Sequence, residues 1–297
     1  MSVDVVYDCP LGSGVLLSQV TQSQFSENID VLPGRMSGSG VISDQFIEGA
    51  APHAQLTSMD IGGSLTIFGT TGSLLSGGNN VAIPYQKRAS GGTFAGGSTN
   101  AVVKGAVSCP VLLMPMSVSA PPKGSPTFHG DLHFFSSDGL TQPYSIVTNQ
   151  GLGSQAFNAM YGLGYIKVNG TLVPRQIGFT VHFGVGLSEK KHYDGAIWPT
   201  DIFQETFDPS IEFSQEDFDY ISGIAGGASI TTLYAWLRKR ASGGTYASGV
   251  STVHISFGFT SGFIRAQQIS ASETKNGQSS VQCLGRTLVV GNGVALI

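Results

Sequence analysis

A nine-residue segment that occurs twice constrains this chain more than any other feature. Lys87-Arg88-Ala89-Ser90-Gly91-Gly92-Thr93-Phe94-Ala95 returns as Lys239-Arg240-Ala241-Ser242-Gly243-Gly244-Thr245-Tyr246-Ala247, an offset of 240 − 88 = 152. Self-similarity at a long period marks repeated structural units. A second block lies upstream, where Asp44, Phe46, Glu48, Pro52 and Asp60 match Asp201, Phe203, Glu205, Pro209 and Asp217 at an offset of 201 − 44 = 157. Downstream, Val118-Ser119-Ala120 matches Ile269-Ser270-Ala271. The order of the blocks is kept and the offsets drift little, as loop insertions produce. The expectation is two homologous domains in tandem, residues 1–145 and 157–297, joined by a polar, Gly-rich linker at 146–156.

With 41 Gly and 13 Pro among 297 residues, long helical bundles are excluded. The apolar pattern is mostly of period two over short stretches, as in Gly178–Val185, Thr252–Phe257 and Asp131–Phe134, and such alternation marks half-buried strands. The chain is therefore expected to be mainly β. One short helix per copy is also expected, because Thr57-Ser58-Met59-Asp60 and Ser214-Gln215-Glu216-Asp217 each place an acid three residues after a hydroxyl. In that spacing the hydroxyl caps the first turn and the acid suits the positive end of the helix dipole. Gly62-Gly63 and Gly226-Gly227 are expected to keep both helices short. The repeated KRASGGT segment reads as the tip or bulged arm of a hairpin, since paired glycines supply the positive φ that a reversal needs. Its basic pairs, Lys87 with Arg88 and Lys239 with Arg240, are candidates for contact with acids such as Glu48 or Glu205 on a neighbouring subunit.

Charged residues make up only 11% of the chain, against ~25% in ordinary soluble domains. A surface that is polar without being charged points to extensive contact with other protein. The formal net charge of −4 argues against tight nucleic-acid binding through phosphates. Cys9, Cys109 and Cys283 have neither disulfide nor zinc spacing and read as buried thiols in a reducing compartment. The segment from Met1 lacks the features of a signal peptide, and no apolar run approaches the ~18 residues of a membrane span. A cytoplasmic site of assembly is expected.

No P-loop pattern and no G-x-S-x-G elbow is present. His129, Asp131 and His133, at i, i+2 and i+4, share one face of a strand, and a 2-His-1-carboxylate set is one that binds metal ions. The other reading is a solvated strand face, favoured because the second copy places Val281, Cys283 and Gly285 at the positions an offset of 152 assigns. Acids at 205–208 and 216–219 read as loop and helix-start residues. No catalytic residues, cofactor or metal site are assigned, and an enzyme is the least supported class.

The strand at Ile177–Val181, the run Trp198–Phe203, the segment Ser210–Ser214, the capped helix and the stretch from Lys239 through Ile269-Ser270-Ala271 to Gly285 together resemble the tube-forming domain of tailed bacteriophages. Duplicated tail tube proteins of long-tailed phages are the nearest comparison. The resemblance implies two β-sandwich or partial-barrel domains, each with a helix. It further implies homo-oligomeric rings, trimers with pseudo-sixfold symmetry, whose sheets join into an inner barrel. Other tail proteins would be partners, the genome would pass through without being held, and the protein would reside in the virion tail. A double jelly-roll capsid protein is the main rival, since it too has two similar β domains. A carbohydrate-binding fibre module is the third class. It calls for exposed loop aromatics, whereas Trp236 lies in a strand.

Overall fold

The computed structural model describes residues 5–6, 9–10, 16–35, 42–76, 78, 81–86, 101–150, 157–192, 195–217, 220, 225–241, 244–272 and 275–296. The fold is mainly β, with several antiparallel sheets and, among the described residues, no closed barrel. The alternation seen in the sequence explains why. Thr127–Phe134 buries Phe128, Gly130, Leu132 and Phe134 and turns Thr127, His129, Asp131 and His133 to the opposite face.

Ten strands form the largest sheet. From one edge to the other they run Val20–Ser26, His53–Ser58, Thr127–Phe134, Val111–Ala120, Gln176–His182, Ser210–Gln215, Lys275–Gly285, Gly262–Ser272 and Ser229–Ile230, with Ser73–Leu75 beside Val111–Leu113. Residues before 149 and residues after 160 thus share one sheet, joined where Ser117–Ala120 pairs antiparallel with Phe179–His182.

Two smaller sheets make the second layer. One orders Val5–Val6, Ala82–Gln86, Ala101–Gly105 and Tyr144–Thr148; the other orders Tyr161–Val168, Leu233–Lys239, His254–Phe259 and Leu288–Val294, with Thr171–Leu172 on its outer side. Apolar side chains from all three sheets fill the space between the layers, as where Phe179 meets Phe257 and Phe25 meets Tyr144. The buried cluster is continuous through both halves, from Leu17 and Phe128 to Phe213, Phe257 and Leu288. Trp236 is buried in its strand, as its sequence context predicts.

Pairings in residues 5–148 and in residues 161–294 follow one order. His53–Ser58 and Ser210–Gln215 lie 210 − 53 = 157 residues apart, the first between Val20–Ser26 and Thr127–Phe134 and the second between Gln176–His182 and Lys275–Gly285. Val20–Ser26 and Gln176–His182 lie 176 − 20 = 156 apart and carry matching bulges, at Val20/Gln22 and Gln176/Gly178. Val20–Ser26 and Gln176–His182 each lead directly into a two-stranded ribbon that belongs to no larger sheet. The first arm is Ile29–Arg35 with Ile42–Ala50; the second is Val185–Lys190 with Asp201–Phe207.

The sequence expectations need three corrections here. Ile146, Val147 and Thr148 are not linker: they end the strand Tyr144–Thr148 and pair with Ala101–Val103, because β-branched side chains favour a pleated, half-buried position over a polar loop. Residues 151–156 lie outside the described residues. The helix spans Ile61–Phe68, and its cap is Asp60 rather than Thr57: the Gly63 N–H donates to Asp60 Oδ1 at 3.0 Å. Gly62 and Gly63 lie inside its first turn, and the helix ends at Gly69, whose φ of 67° suits glycine. In the second half Ser214 belongs to a strand, and again the aspartate accepts, with the Tyr220 N–H donating to Asp217 Oδ1 at 3.3 Å. Tyr220 is helical, and its immediate neighbours lie outside the described residues. A carboxylate at the cap accepts more strongly than a hydroxyl and also answers the helix dipole, which explains the choice.

The helix is fixed to the large sheet by Phe68, whose ring lies 5.0 Å from that of Phe128. Gly130 is required beneath it, since a Cβ there would come within 2.5 Å of the Phe68 ring. Asp60 has further duties: it is buried, and its Oδ2 accepts from Ser18 Oγ and from Asn158 Nδ2, both at 2.6 Å. Replacing Asp60 by Ala removes the cap and strands the buried Ser18 hydroxyl, so a loss of roughly 1–3 kcal/mol is expected. Denaturant unfolding measures it, and a loss below ~0.5 kcal/mol would contradict the assignment.

Candidate assembly interface

The outer strands of the large sheet leave main-chain groups that no described strand pairs. Val20–Ser26 has a partner on one side only, in His53–Ser58. Gly262–Ser272 pairs along its length with Lys275–Gly285, and on its other side, among the described residues, only its start is engaged, Gly262 and Phe263 with Ser229–Ile230 and Ile264 with Gly227 and Ala228. Such edges template the addition of another strand.

The face of this sheet turned away from the core is polar. Gln22, Gln24, Gln55, Thr57, His129 and Asp131 line a shallow groove on it. The six adjacent strands from Val20–Ser26 to Ser210–Gln215 contain no lysine or arginine, while their carboxylates are Asp131 and Glu212. His129, Asp131 and His133 do share this face, but their rings are engaged separately. His129 Nδ1 lies 3.0 Å from Thr57 Oγ1 and its Nε2 3.3 Å from Thr127 Oγ1. His133 stacks on His53 at 6.1 Å between centroids and meets Glu189 of the second arm through Nδ1 at 3.1 Å. Among the described residues no cluster of His, Cys, Asp and Glu is arranged to hold a metal ion.

The strand registers correct one alignment made from sequence. His53–Ser58 pairs His133, Asp131 and His129 with His53, Gln55 and Thr57; the corresponding strand Ser210–Gln215 pairs Leu284, Gln282 and Ser280 with Ser210, Glu212 and Ser214. The counterparts are therefore Ser280, Gln282 and Leu284, not Val281, Cys283 and Gly285. A slip of one residue exchanges the two faces of a strand, and Val281 and Cys283 point into the core.

All three cysteines are buried, as expected. Burial pushes the Cys283 thiol up to about 12, which keeps it unreactive at neutral pH.

Lys239 ends a core strand, and the segment after it reverses as a hairpin in which Arg240 bridges Tyr246 and the Ala247 N–H donates to Lys239 O. Gly244 has the anticipated positive φ, 81°. Arg240 is engaged within its own chain: Nε donates to Tyr161 O at 3.3 Å, Nη2 donates to Gly124 O at 3.2 Å, and the guanidinium lies over Tyr246. Lys87 and Arg88 lie outside the described residues. Glu48 and Glu205 are both exposed, and each occupies the extra position of a bulge, in the first and second arm respectively. The structure thus separates the basic hairpin from the acids on the arms. Sequence reasoning missed the arms as elements, although the match of Phe46 and Glu48 to Phe203 and Glu205 falls on them.

The second arm is seated. The Ile197 and Trp198 N–H groups both donate to Gly139 O, the Ser136 N–H donates to Pro199 O, and Trp198 packs edge-on to Tyr144. The receiving loop is held by Asp138, whose carboxyl is kept well below the usual carboxylate range by the Thr141 amide first, then by the Thr141 and Ser136 hydroxyls. Among the described residues the first arm is held only at its base, where the Ala50 N–H donates to Ile197 O at 2.9 Å and Lys191 Nζ donates to Glu48 O at 3.3 Å. Ile29, Val31, Leu32, Ile42, Phe46 and Ile47 are each between 41% and 56% exposed on it, whereas Phe203 is the one large apolar side chain so exposed on the second arm.

Burial raises the Asp131 carboxyl above the ordinary carboxylate value, outweighing the nearby imidazoles. The folded form then binds its proton more tightly than the unfolded form, so Asp131 costs stability as pH rises through its titration range, and the cost is absent below the unfolded value. Asp131→Asn is expected to raise the denaturant midpoint at pH 7 and to leave it unchanged near pH 3. A lower midpoint at pH 7 would contradict this.

Comparison of the chain with family models and with curated proteins gave no match.

Proposed function

We propose that the two halves descend from one β module copied in tandem, and that the chain is a non-enzymatic structural protein of a virion. In this reading copies of it form rings, three chains supplying six modules, and the rings stack as the tail tube of a long-tailed bacteriophage. The observation that carries the proposal is the sheet joined in its middle and open at both ends. Inside one chain an edge strand of each half already meets the other, and the two edges left over are of the same two kinds. A head-to-tail contact of that sort closes into a ring when the rotation between units allows it.

Two further features support a conduit. A polar sheet face whose six adjacent strands lack lysine and arginine and carry Asp131 and Glu212 offers a passing phosphate backbone nothing to grip. The exposed apolar side chains of the first arm need a protein partner, since an isolated two-stranded ribbon is marginal in water. The helix Ile61–Phe68 against the sheet favours the tube over a jelly-roll capsid module, which is built of regular strands alone. Among polar contacts between copies, Lys239 with Glu48 or Glu205 is the pairing we retain, since Arg240 has partners at home. The rings would be assembled in the host cytoplasm and carried in the virion tail, alongside other tail proteins.

Negative-stain microscopy of the concentrated protein should show rings or stacked tubes with a central channel. Closed icosahedral shells would move the assignment to a capsid protein. A species that stays monomeric at high concentration would contradict both.

A further inference from the structure

The joint between the halves specifies how two chains would meet. Within the chain, Ser117, Val118, Ser119 and Ala120 pair with His182, Val181, Thr180 and Phe179. The receiving strand Val111–Ala120 has its first residues covered by Ser73–Leu75, which leaves its far end for this contact. The strand Gly262–Ser272 is arranged alike: Ser229–Ile230 covers Gly262 and Phe263, and the stretch Gln268–Ala271 is left unpaired on that side among the described residues. Counterparts follow from the hairpin registers. Val118, Ser119 and Ala120 correspond to Ile269, Ser270 and Ala271, and Phe179, Thr180 and Val181 correspond to Ser23, Gln24 and Phe25.

We infer that Val20–Ser26 of one copy pairs antiparallel with Gly262–Ser272 of the next, with Gln24 opposite Ser270 and Phe25 opposite Ile269. This deepens the self-assembly proposed for the chain and rests on it.

Burial singles out the same residues. Val118 and Val181, which face each other in the internal joint, are both fully buried. Ile269, the counterpart of Val118, is 58% exposed in the single chain. A large apolar residue on an open edge at the position where its counterpart is covered marks a site that a second copy covers. The arms fit the same geometry. His182 leads through two residues into the second arm, which the internal joint carries onto the first half; Ser26 leads as directly into the first arm. Pairing of Val20–Ser26 on a neighbour carries the first arm onto that neighbour's second half, where Phe263 is also exposed. The exposed apolar side chains of the first arm would then lie against that neighbour rather than water. Main-chain hydrogen bonds supply the attraction and alternate side chains fix the register, as in other strand-addition contacts.

Cysteine pairs test the register. In the internal joint Ser119 Oγ and Thr180 Oγ1 are 3.4 Å apart, so cysteines at their counterparts fall within disulfide range. Full-length protein carrying Gln24→Cys and Ser270→Cys, both exposed positions, should on mild oxidation give covalent dimers and larger species up to a closed ring on a denaturing gel. A mixture of the two single variants should stop at dimers, and Gln22→Cys with Ser270→Cys should link far less. As a second variant, Ile269→Asp should raise the concentration needed for assembly by ~10-fold or more, because burial of an unpaired charge is costly, while leaving the unfolding midpoint of the monomer in place. Rings or tubes that form while residues 24 and 270 fail to link, or that survive Ile269→Asp unchanged, would overturn this joint and leave the tube reading standing. Absence of any assembly would overturn the tube reading and the joint with it.

Discussion

Main-chain hydrogen bonding at the edge of a sheet governs this structure. A buried N–H or C=O without a partner costs on the order of 1–3 kcal/mol, whereas an open strand edge presents a row of such groups to water and so to any strand that can pair with them. The chain meets the requirement once internally, where Ser117–Ala120 pairs with Phe179–His182 and turns two half-sheets into one. That joint orders the rest. It makes the apolar cluster continuous across the halves, brings the second arm onto the loop held by Asp138, and places the polar side chains of successive strands on one common face. The same requirement is left open at the two outer edges, and the account of assembly grows from that.

The composition takes on a physical meaning in this frame. A chain with 11% charged residues has little to keep its surfaces apart in water. Here uncharged polar residues occupy the outward face of the large sheet, while six exposed apolar side chains lie on the first arm and Phe263 and Ile269 on Gly262–Ser272. In the proposed tube the first would line the channel and the second would lie between copies. Two carboxylates and several imidazoles on the sheet face, with no ammonium or guanidinium from its six adjacent strands, suit a passage for a polyanion better than a binding site for one.

Local patterns in the sequence are sufficient for some of the strands. Period-two alternation at Asp131–Phe134 and Thr252–Phe257 falls largely on the strands Thr127–Phe134 and His254–Phe259, and the acid at Asp60 marks the start of the helix Ile61–Phe68 to within a turn. The capping residue was misplaced because the spacing of a hydroxyl and an acid is also met by a lone aspartate cap, and nothing local separates the two. Ile146–Thr148 reads as linker in the sequence because polar neighbours mask its β-branched run. The His129, Asp131 and His133 face was legible, yet their partners were not: Glu189 and His53 come from strands distant in sequence. The joint between the halves and the exposed edges were illegible for the same reason, since pairing between strands some 60 residues apart leaves no mark on either strand alone. The alignment slip at Val281 and Cys283 shows the limit most sharply, as a single residue of register decides which side chains face the core.

Amide hydrogen exchange tests the central claim most directly, because it reads main-chain hydrogen bonds themselves. In dilute monomer, amides of Val20–Ser26 and Gln268–Ala271 that point off the sheet should exchange rapidly, while those at the internal joint, Ser117–Ala120 and Phe179–His182, are protected. On assembly the two outer segments should become protected together and to a similar degree as the joint. Assembled particles in which both outer edges still exchange at the monomer's rate would contradict the account.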